Sequence, residues 1–147
     1  MSWTAEFVTA AAWQDPPYSP LYNWVSHVGL TGPPQTAFGL VANSPLGAVM
    51  DTGWVIYGSL LVIGAFLVFE PRKGTRPVVI LILAVLAGVG VSLVGIFQGS
   101  NTNVDSGLIA FHAVGAQSVM LAGSAPAAGT RLFDAARPPR ELAPSFS

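Results

Sequence analysis

The side chains that could do acid–base or metal chemistry are few in this sequence of 147 residues. It holds two histidines, His27 and His112, and no cysteine, so disulfides and thiolate zinc sites are excluded. Asp51 follows Ser44 by about two helical turns, and His112 follows Asp105 by about two turns, at about 3.6 residues per turn. The spacing predicts that Asp51 and His112 lie at a similar depth in a helix bundle.

A carboxylate and an imidazole at one depth allow several kinds of chemistry. Asp51, His27 and His112 could bind zinc, or His112 could act as a general base together with Asp51, His27 or Ser26. The alternative is that Asp51 and His112 hydrogen-bond to each other or to the backbone and hold the bundle together. We favour this alternative, because no HxxxH or HExxH spacing supports a metal site. We therefore expect no cofactor.

The composition indicates a protein that is solvated by lipid. Charged residues make up 9% of the chain and hydrophobic residues 52%, with a mean hydropathy of +0.58, whereas a soluble domain carries about 25% charged residues. Residues 52–69 and 77–97 contain no Asp, Glu, Lys or Arg, and each is close to the roughly 20 residues that cross a bilayer. The net charge of −1 gives no basic field for nucleic acid. The predicted fold class is an all-α, multi-pass transmembrane helix bundle.

A third span over residues 107–123 is predicted from a weaker apolar stretch, with Asp105 or Ser106 as its N-cap. The positions of the six basic residues support this third span. These residues form two groups along the chain, and a third span places both groups on the same side of the membrane. By the positive-inside rule this side is the cytoplasm. The two groups are Arg72, Lys73 and Arg76 in the turn 70–76, and Arg131, Arg137 and Arg140 near the C-terminus. Loops 14–43 and 98–106 then face outward. Residues 3–13 are too short to cross alone and are interpreted as the second half of a span.

The remaining segments are interpreted from caps and composition. Ser19-Pro20 and the apolar spacing that follows predict a short helix in the outer interface that ends near Gly29, with irregular loop up to Ser44. The apolar positions of that helix are Leu21, Trp24, Val25 and Val28, and its flanking aromatics are Trp13, Tyr18, Tyr22 and Trp24. Ser44-Pro45 is predicted to start the following helix. Residues 1–123 are thus a membrane bundle, and residues 124–147 a flexible, Pro/Arg-rich cytoplasmic tail.

The order of these motifs resembles domain of unknown function family 998 (DUF998), a group of bacterial and archaeal membrane proteins. The resemblance rests on AAAWQDPPYSPLYNWVSHVGL, NSPLGAVMDTGW, LVGIFQGS and a histidine that opens the next span, and it covers roughly residues 5–123. The matching positions are Tyr18, Ser19, Asn23, Ser26, Gly29, Ser44, Pro45, Gly95 and His112. His27 stands where an acidic residue is common in the family, and Asp51 stands where Asn is common.

The resemblance implies a bundle of about six helices without an established activity. The first predicted span lacks its N-terminal half, and after Gly123 the family would continue into further spans. We therefore expect a member that is shortened at its start and ends early or out of frame, with a genuinely short variant as the alternative.

We expect a multi-pass protein of the bacterial plasma membrane with a structural, lipid-organising or partner-binding role. Its partners are then the lipid bilayer and other membrane proteins, and not nucleic acid. The first alternative is a membrane-embedded, metal-dependent or metal-free lipid hydrolase at the outer leaflet. The second is a proton-coupled small-molecule carrier that uses Asp51 and His112 as a relay.

The predicted topology can be tested by cysteine labelling, because the chain has no cysteine of its own. On intact cells, a membrane-impermeant thiol reagent is expected to label Asn103→Cys in the outer loop and to leave Gly74→Cys in the cytoplasmic turn unlabelled. Labelling at position 74 but not at position 103 would show the opposite orientation.

Overall fold

The computed structural model describes residues 2–13, 15–37, 39–70 and 75–135, and most of them are helical. The α-helices are α1 (Ser2–Ala12), α2 (Gly47–Leu67), α3 (Arg76–Ile96), α4 (Asn101–Asp105) and α5 (Ile109–Ala135). A 3-10 helix covers Val25–Gly29, and a hairpin of β1 (Gln35–Ala37) and β2 (Leu40–Ala42) precedes α2. The prediction of a helical fold is confirmed. The basic turn residues Arg72 and Lys73 lie outside the described residues, as do Arg137 and Arg140.

Two helices, α2 and α3, are long and apolar enough to cross a membrane. Helix α3 agrees with the predicted span 77–97, whereas α2 begins at Gly47, well before the predicted residue 52. The prediction that Ser44 caps α2 is wrong: Leu46 is the N-cap residue, and its side chain makes no capping hydrogen bond. Ser44 is buried instead, and its hydroxyl donates to the carbonyl oxygen of Val28 at 2.5 Å.

Helix α5 is longer than the predicted span 107–123. Its backbone stays helical through residues 124–135, where the composition predicted a flexible tail. Four alanines in this stretch favour a helical backbone, whereas Pro126 and Gly129 oppose it. Asp105 and Ser106 do not cap α5, because Asp105 ends α4 and Ser106 is the C-cap residue of α4.

Helix α3 lies between α2 and α5 and is antiparallel to both. Glycines mark both contacts: Gly88 of α3 meets Gly58 of α2, and Gly90 of α3 meets Gly115 of α5. A Cβ atom on Gly90 or on Gly115 would lie 2.6 Å from the carbonyl oxygen of the other. Gly95 similarly faces the backbone of α2. Small residues at these positions let the backbones approach closely, as is typical of contacts between membrane helices.

The buried core lies at one end of these helices, which we name the loop end because residues 13–46 and 97–108 connect the helices there. The core consists of Trp13, Val28, Leu30, Ala42, Met50 and Trp54. Helix α1 packs on α2 beside this core, with Ala5 close to Gly53 and the Thr9 hydroxyl donating to the Leu46 carbonyl oxygen at 3.3 Å. Trp13, predicted as an interfacial aromatic, is 3% exposed.

The loop before α2 differs from its prediction in two ways. Residues 19–23 form a turn, closed by the backbone N–H of Ser19 donating to Asn23 Oδ1 at 2.9 Å, and only Val25–Gly29 is helical. The predicted apolar face is therefore divided, since Leu21 is 87% exposed and Val28 is fully buried. The second difference is the β1–β2 hairpin, where irregular loop was predicted.

The contact between α3 and α5 predicts different effects for two glycines of the same helix. Gly115→Ala is expected to destabilise the protein by about 1–3 kcal/mol, because its methyl group overlaps the Gly90 carbonyl oxygen. Gly123→Ala is the control, since a methyl group at position 123 would have no described atom within 4 Å beyond its own helix turn. It should leave the stability unchanged or raise it through helix propensity. Thermal unfolding in detergent measures both, and equal melting temperatures would contradict the close contact.

Candidate functional site

The side-chain amide of Gln98 connects three segments at the loop end. Its Nε2 donates to Asp51 Oδ2 at 2.6 Å, and its Oε1 accepts from the Thr31 backbone N–H at 3.1 Å and from the Thr31 hydroxyl at 2.9 Å. The Thr31 N–H can only donate, so the amide oxygen must face Thr31 and the amide nitrogen must face Asp51. This set of three residues, which we name the Gln98 clamp, joins α2, the end of α3 and the loop after the 3-10 helix.

Asp51 is 8% exposed, and its carboxyl group lies against Gly29. A Cβ atom at position 29 would overlap Asp51 Oδ1 and the Trp54 ring. The 3-10 helix ends at Gly29, as predicted, and the lack of a side chain there is also needed for this close approach. Oδ1 has no hydrogen-bond partner within the described residues, so only the Oδ2 side of Asp51 is held by the clamp.

His112 is held by the end of α3 as well. Its Nδ1 lies 2.7 Å from the carbonyl oxygen of Phe97. A carbonyl oxygen only accepts, so Nδ1 carries the hydrogen, and Nε2 of the neutral ring is an acceptor. The predicted Asp51–His112 pair is wrong, because α3 ends between the two side chains. Phe97 supplies the partner of His112, and Gln98 supplies the partner of Asp51.

His27 is buried in the loop end, with 2% of its surface exposed. Neither ring nitrogen has a hydrogen-bond partner within the described residues. The ring stacks on Trp24 with centroids 5.9 Å apart and an interplanar angle of 7°. Burial lowers the pKa of His27 below its ordinary value, so the ring is neutral at pH 7.

The three side chains considered as zinc ligands do not form a joint site. In the part of the chain that the structure describes, no group of three or more His, Asp or Glu side chains is arranged to hold a metal ion. Asp51 and His112 are each held by a different residue at the end of α3, and His27 is stacked on Trp24. The geometry therefore provides no support for the predicted alternative of a metal site.

A cavity of about 700 Å³ opens between the 3-10 helix and helices α3 and α5, and we name it the α3–α5 groove. Its polar lining residues are Ser26, His112 and Gln117. Its apolar lining residues include Trp54, Val91, Val94, Ala116, Val119 and Met120. Among the described residues, no Asp, Glu, Lys or Arg lines it. Two of the predicted candidates, Ser26 and His112, thus share one cavity, whereas Asp51 and His27 are not among its lining residues.

Sequence reasoning missed Gln98 and Thr31. A usable signal for Gln98 was its position directly after the uncharged stretch 77–97, where an amide can reach the ends of neighbouring helices. Thr31 gives no such signal, because its role depends on a contact 67 positions away in sequence.

No protein-family model, no curated protein and no solved structure matches this chain. The resemblance to DUF998 therefore stays a prediction, and function has to be argued from the site itself.

The Gln98 clamp predicts a loss of stability on Gln98→Leu. Thr31 loses an acceptor and Asp51 loses its donor, and each buried group left unsatisfied costs about 1–3 kcal/mol. Asp51→Asn should be milder than Asp51→Leu, because an amide oxygen still accepts from Gln98. Thermal unfolding in detergent measures these losses.

Gln117→Leu is the matched control for Gln98→Leu, because Gln117 is exposed and makes no hydrogen bond within the described residues. We expect it to change the melting temperature little. A Gln98→Leu variant as stable as Gln117→Leu would show that the clamp contributes nothing.

Proposed function

We propose that this protein is a multi-pass integral membrane protein with a structural, lipid-organising role and no chemistry of its own. The observation that carries the proposal is the outward-facing apolar surface of α2 and α3. Only 22% of the most apolar 18-residue stretch of α2 is buried, and only 17% in α3. Core helices of a soluble protein would be mostly buried, whereas lipid solvates such a surface without cost. The resemblance to DUF998 agrees with this assignment.

Helix α5 is the third proposed span. Phe97, the C-cap residue of α3, contacts His112, and Gly90 of α3 contacts Gly115 of α5, so α5 runs back along α3. Its helical backbone continues to Ala135, which brings Arg131 toward the end of the bundle that holds Arg76. By the positive-inside rule this end is cytoplasmic in a bacterial plasma membrane, and the loop end is outside.

Exposed aromatic and aliphatic side chains at the loop end support contact with lipid. Leu21 is 87% exposed, Tyr22 75% and Trp24 58%. Trp24 lines the α3–α5 groove, and Leu21 and Tyr22 lie in the turn that precedes it in sequence. Tyrosine and tryptophan are enriched at this depth, because their rings have an apolar body and a polar edge.

A lipid hydrolase is the second candidate, because Ser26 and His112 line the same groove. The Phe97 carbonyl oxygen also orients the imidazole, as a third group orients a general base. The hydrogen bonds of the described residues include none between Ser26 and His112, which favours the structural role. A proton carrier has less support, because Asp51 and His112 are not hydrogen-bonded to each other.

The proposal predicts that the protein stays in the membrane pellet after an alkaline carbonate wash. It also predicts that vesicles containing the protein release no more fatty acid from phospholipid or diacylglycerol than empty vesicles do. Extraction by carbonate would overturn the membrane assignment.

Fatty-acid release that is lost in Ser26→Ala and in His112→Phe would establish the hydrolase instead. Ser59→Ala is the control for that experiment, since the Ser59 hydroxyl is exposed and bonds only to the Val55 carbonyl oxygen of its own helix.

A further inference from the structure

We propose that the α3–α5 groove binds one acyl chain of an uncharged lipid with a free hydroxyl group, of the diacylglycerol class, and that His112 and Ser26 receive the hydroxyl. This inference rests on the proposed membrane location and names the lipid class that the lipid-organising role would involve. Its basis is the length of the groove, the polarity of its two ends and the hydrogen-bonding state of His112.

The length of the groove matches one leaflet of a bilayer. Along α5 its lining extends from Ile109 to Met120, which is about 16 Å at about 1.5 Å per residue. Half of a roughly 30 Å hydrocarbon core has nearly the same thickness. The volume of about 700 Å³ lies within the usual range of ligand sites. An acyl chain of the outer leaflet therefore fits along the groove.

Two of the three polar lining residues, Ser26 and His112, lie at the end of the groove where a lipid carries its hydroxyl and ester oxygens. Ser26 belongs to the loop end, and His112 lies in the first turns of α5. Deeper along α5 the lining consists of Ala116, Val119 and Met120 together with one uncharged polar side chain, Gln117. A chain that enters with its polar end toward the loops matches this order.

The hydrogen bond that His112 already makes favours a ligand that donates a hydrogen bond to its other ring nitrogen. Its Nδ1 hydrogen is used by the Phe97 carbonyl oxygen, so Nε2 of the neutral ring can only accept. No described residue donates to Nε2, and Ser26 makes no hydrogen bond within the described residues. A lipid hydroxyl can donate to His112 Nε2 and accept from Ser26 Oγ, which satisfies both side chains at once.

The absence of charge in the groove selects an uncharged head group. None of its described lining residues is Asp, Glu, Lys or Arg, so a phosphate or carboxylate would lose its hydration without gaining an ionic partner. The class that remains has acyl chains, ester oxygens and a free hydroxyl. Diacylglycerol meets each of these conditions.

Helix α1 is poorly placed to fill the groove, because it packs on α2 where Ala5 meets Gly53. A second copy of the protein is another possible occupant, and the experiment separates it from a lipid.

The test is photo-crosslinking of the full-length protein in phospholipid nanodiscs with three probes that share a diazirine-bearing acyl chain. The probes are a diacylglycerol, the same molecule with its hydroxyl acetylated, and the corresponding phosphatidic acid. We expect diacylglycerol to label residues 109–120, and each of the other two to label them about fivefold less, the factor given by one net hydrogen bond. Equal labelling by the acetylated probe, or stronger labelling by phosphatidic acid, would overturn the proposal.

A pair of variants on one helix tests whether the groove is the site. Ala113→Phe fills the groove from an exposed position, and Val114→Phe adds the same ring at an exposed neighbouring position outside the lining. Diacylglycerol labelling should fall about fivefold or more in the first variant and stay unchanged in the second. If Ala113→Phe unfolds the protein, the comparison of the three probes on the unchanged chain still tests whether the groove binds diacylglycerol.

His112→Phe should abolish the preference for diacylglycerol over its acetylated form, and a preference that persists would exclude His112 as the acceptor.

Disulfide formation between copies carrying Ala113→Cys would show that a second copy occupies the groove, and would overturn the lipid site. A protein that resists carbonate extraction but is not labelled by diacylglycerol would overturn this inference and leave the proposed membrane location intact. A protein that carbonate extracts would overturn both.

Discussion

Helix α3 approaches both of its neighbours more closely than any side chain would allow, and the rest of the structure depends on this approach. Gly88 meets the backbone of α2 at Gly58, and Gly90 meets the backbone of α5 at Gly115. Apolar helices gain little from burying leucine or valine when lipid solvates those side chains equally well. Close backbone contact supplies van der Waals attraction in place of hydrophobic burial. The apolar side chains of α2 and α3 are thereby left on the outside.

The central position of α3 also determines what happens at the loop end. Two consecutive residues at the end of α3, Phe97 and Gln98, lie between α2 and α5. Each of them contacts a different neighbouring helix. The carbonyl oxygen of Phe97 faces His112, and the side-chain amide of Gln98 faces Asp51. Because the carbonyl takes the Nδ1 hydrogen, the imidazole keeps an acceptor beside the groove. Because the amide is oriented by Thr31, Asp51 is left with one bonded and one unbonded oxygen within the described residues.

A large part of this arrangement could be predicted from the sequence, but the partners could not. The similar depth of Asp51 and His112 was predicted by counting helical turns from Ser44 and Asp105, and neither residue caps its helix. The two side chains nevertheless contact consecutive residues at the end of α3. Their predicted pairing failed because helix counting gives depth and not the order of helices around the bundle. Ser26 and His112 were identified as candidates, and both line the groove. Gln98, which organises the site, was missed.

The sequence by itself determined the helical class and the two long apolar helices, because both depend on short-range composition. In lipid, an uncharged stretch must satisfy its backbone polar groups internally, and it therefore becomes a helix. Only the tertiary structure decided which polar groups meet. Gln98 and Asp51 are hydrogen-bonded although they are 47 positions apart in sequence, and His112 and Phe97 are hydrogen-bonded although they are 15 positions apart. Gly29 ends the 3-10 helix as predicted, but only the tertiary structure shows that it also leaves space for the Asp51 carboxyl group and the Trp54 ring. Such contacts arise from the close approach of whole helices, which no local pattern of residues specifies.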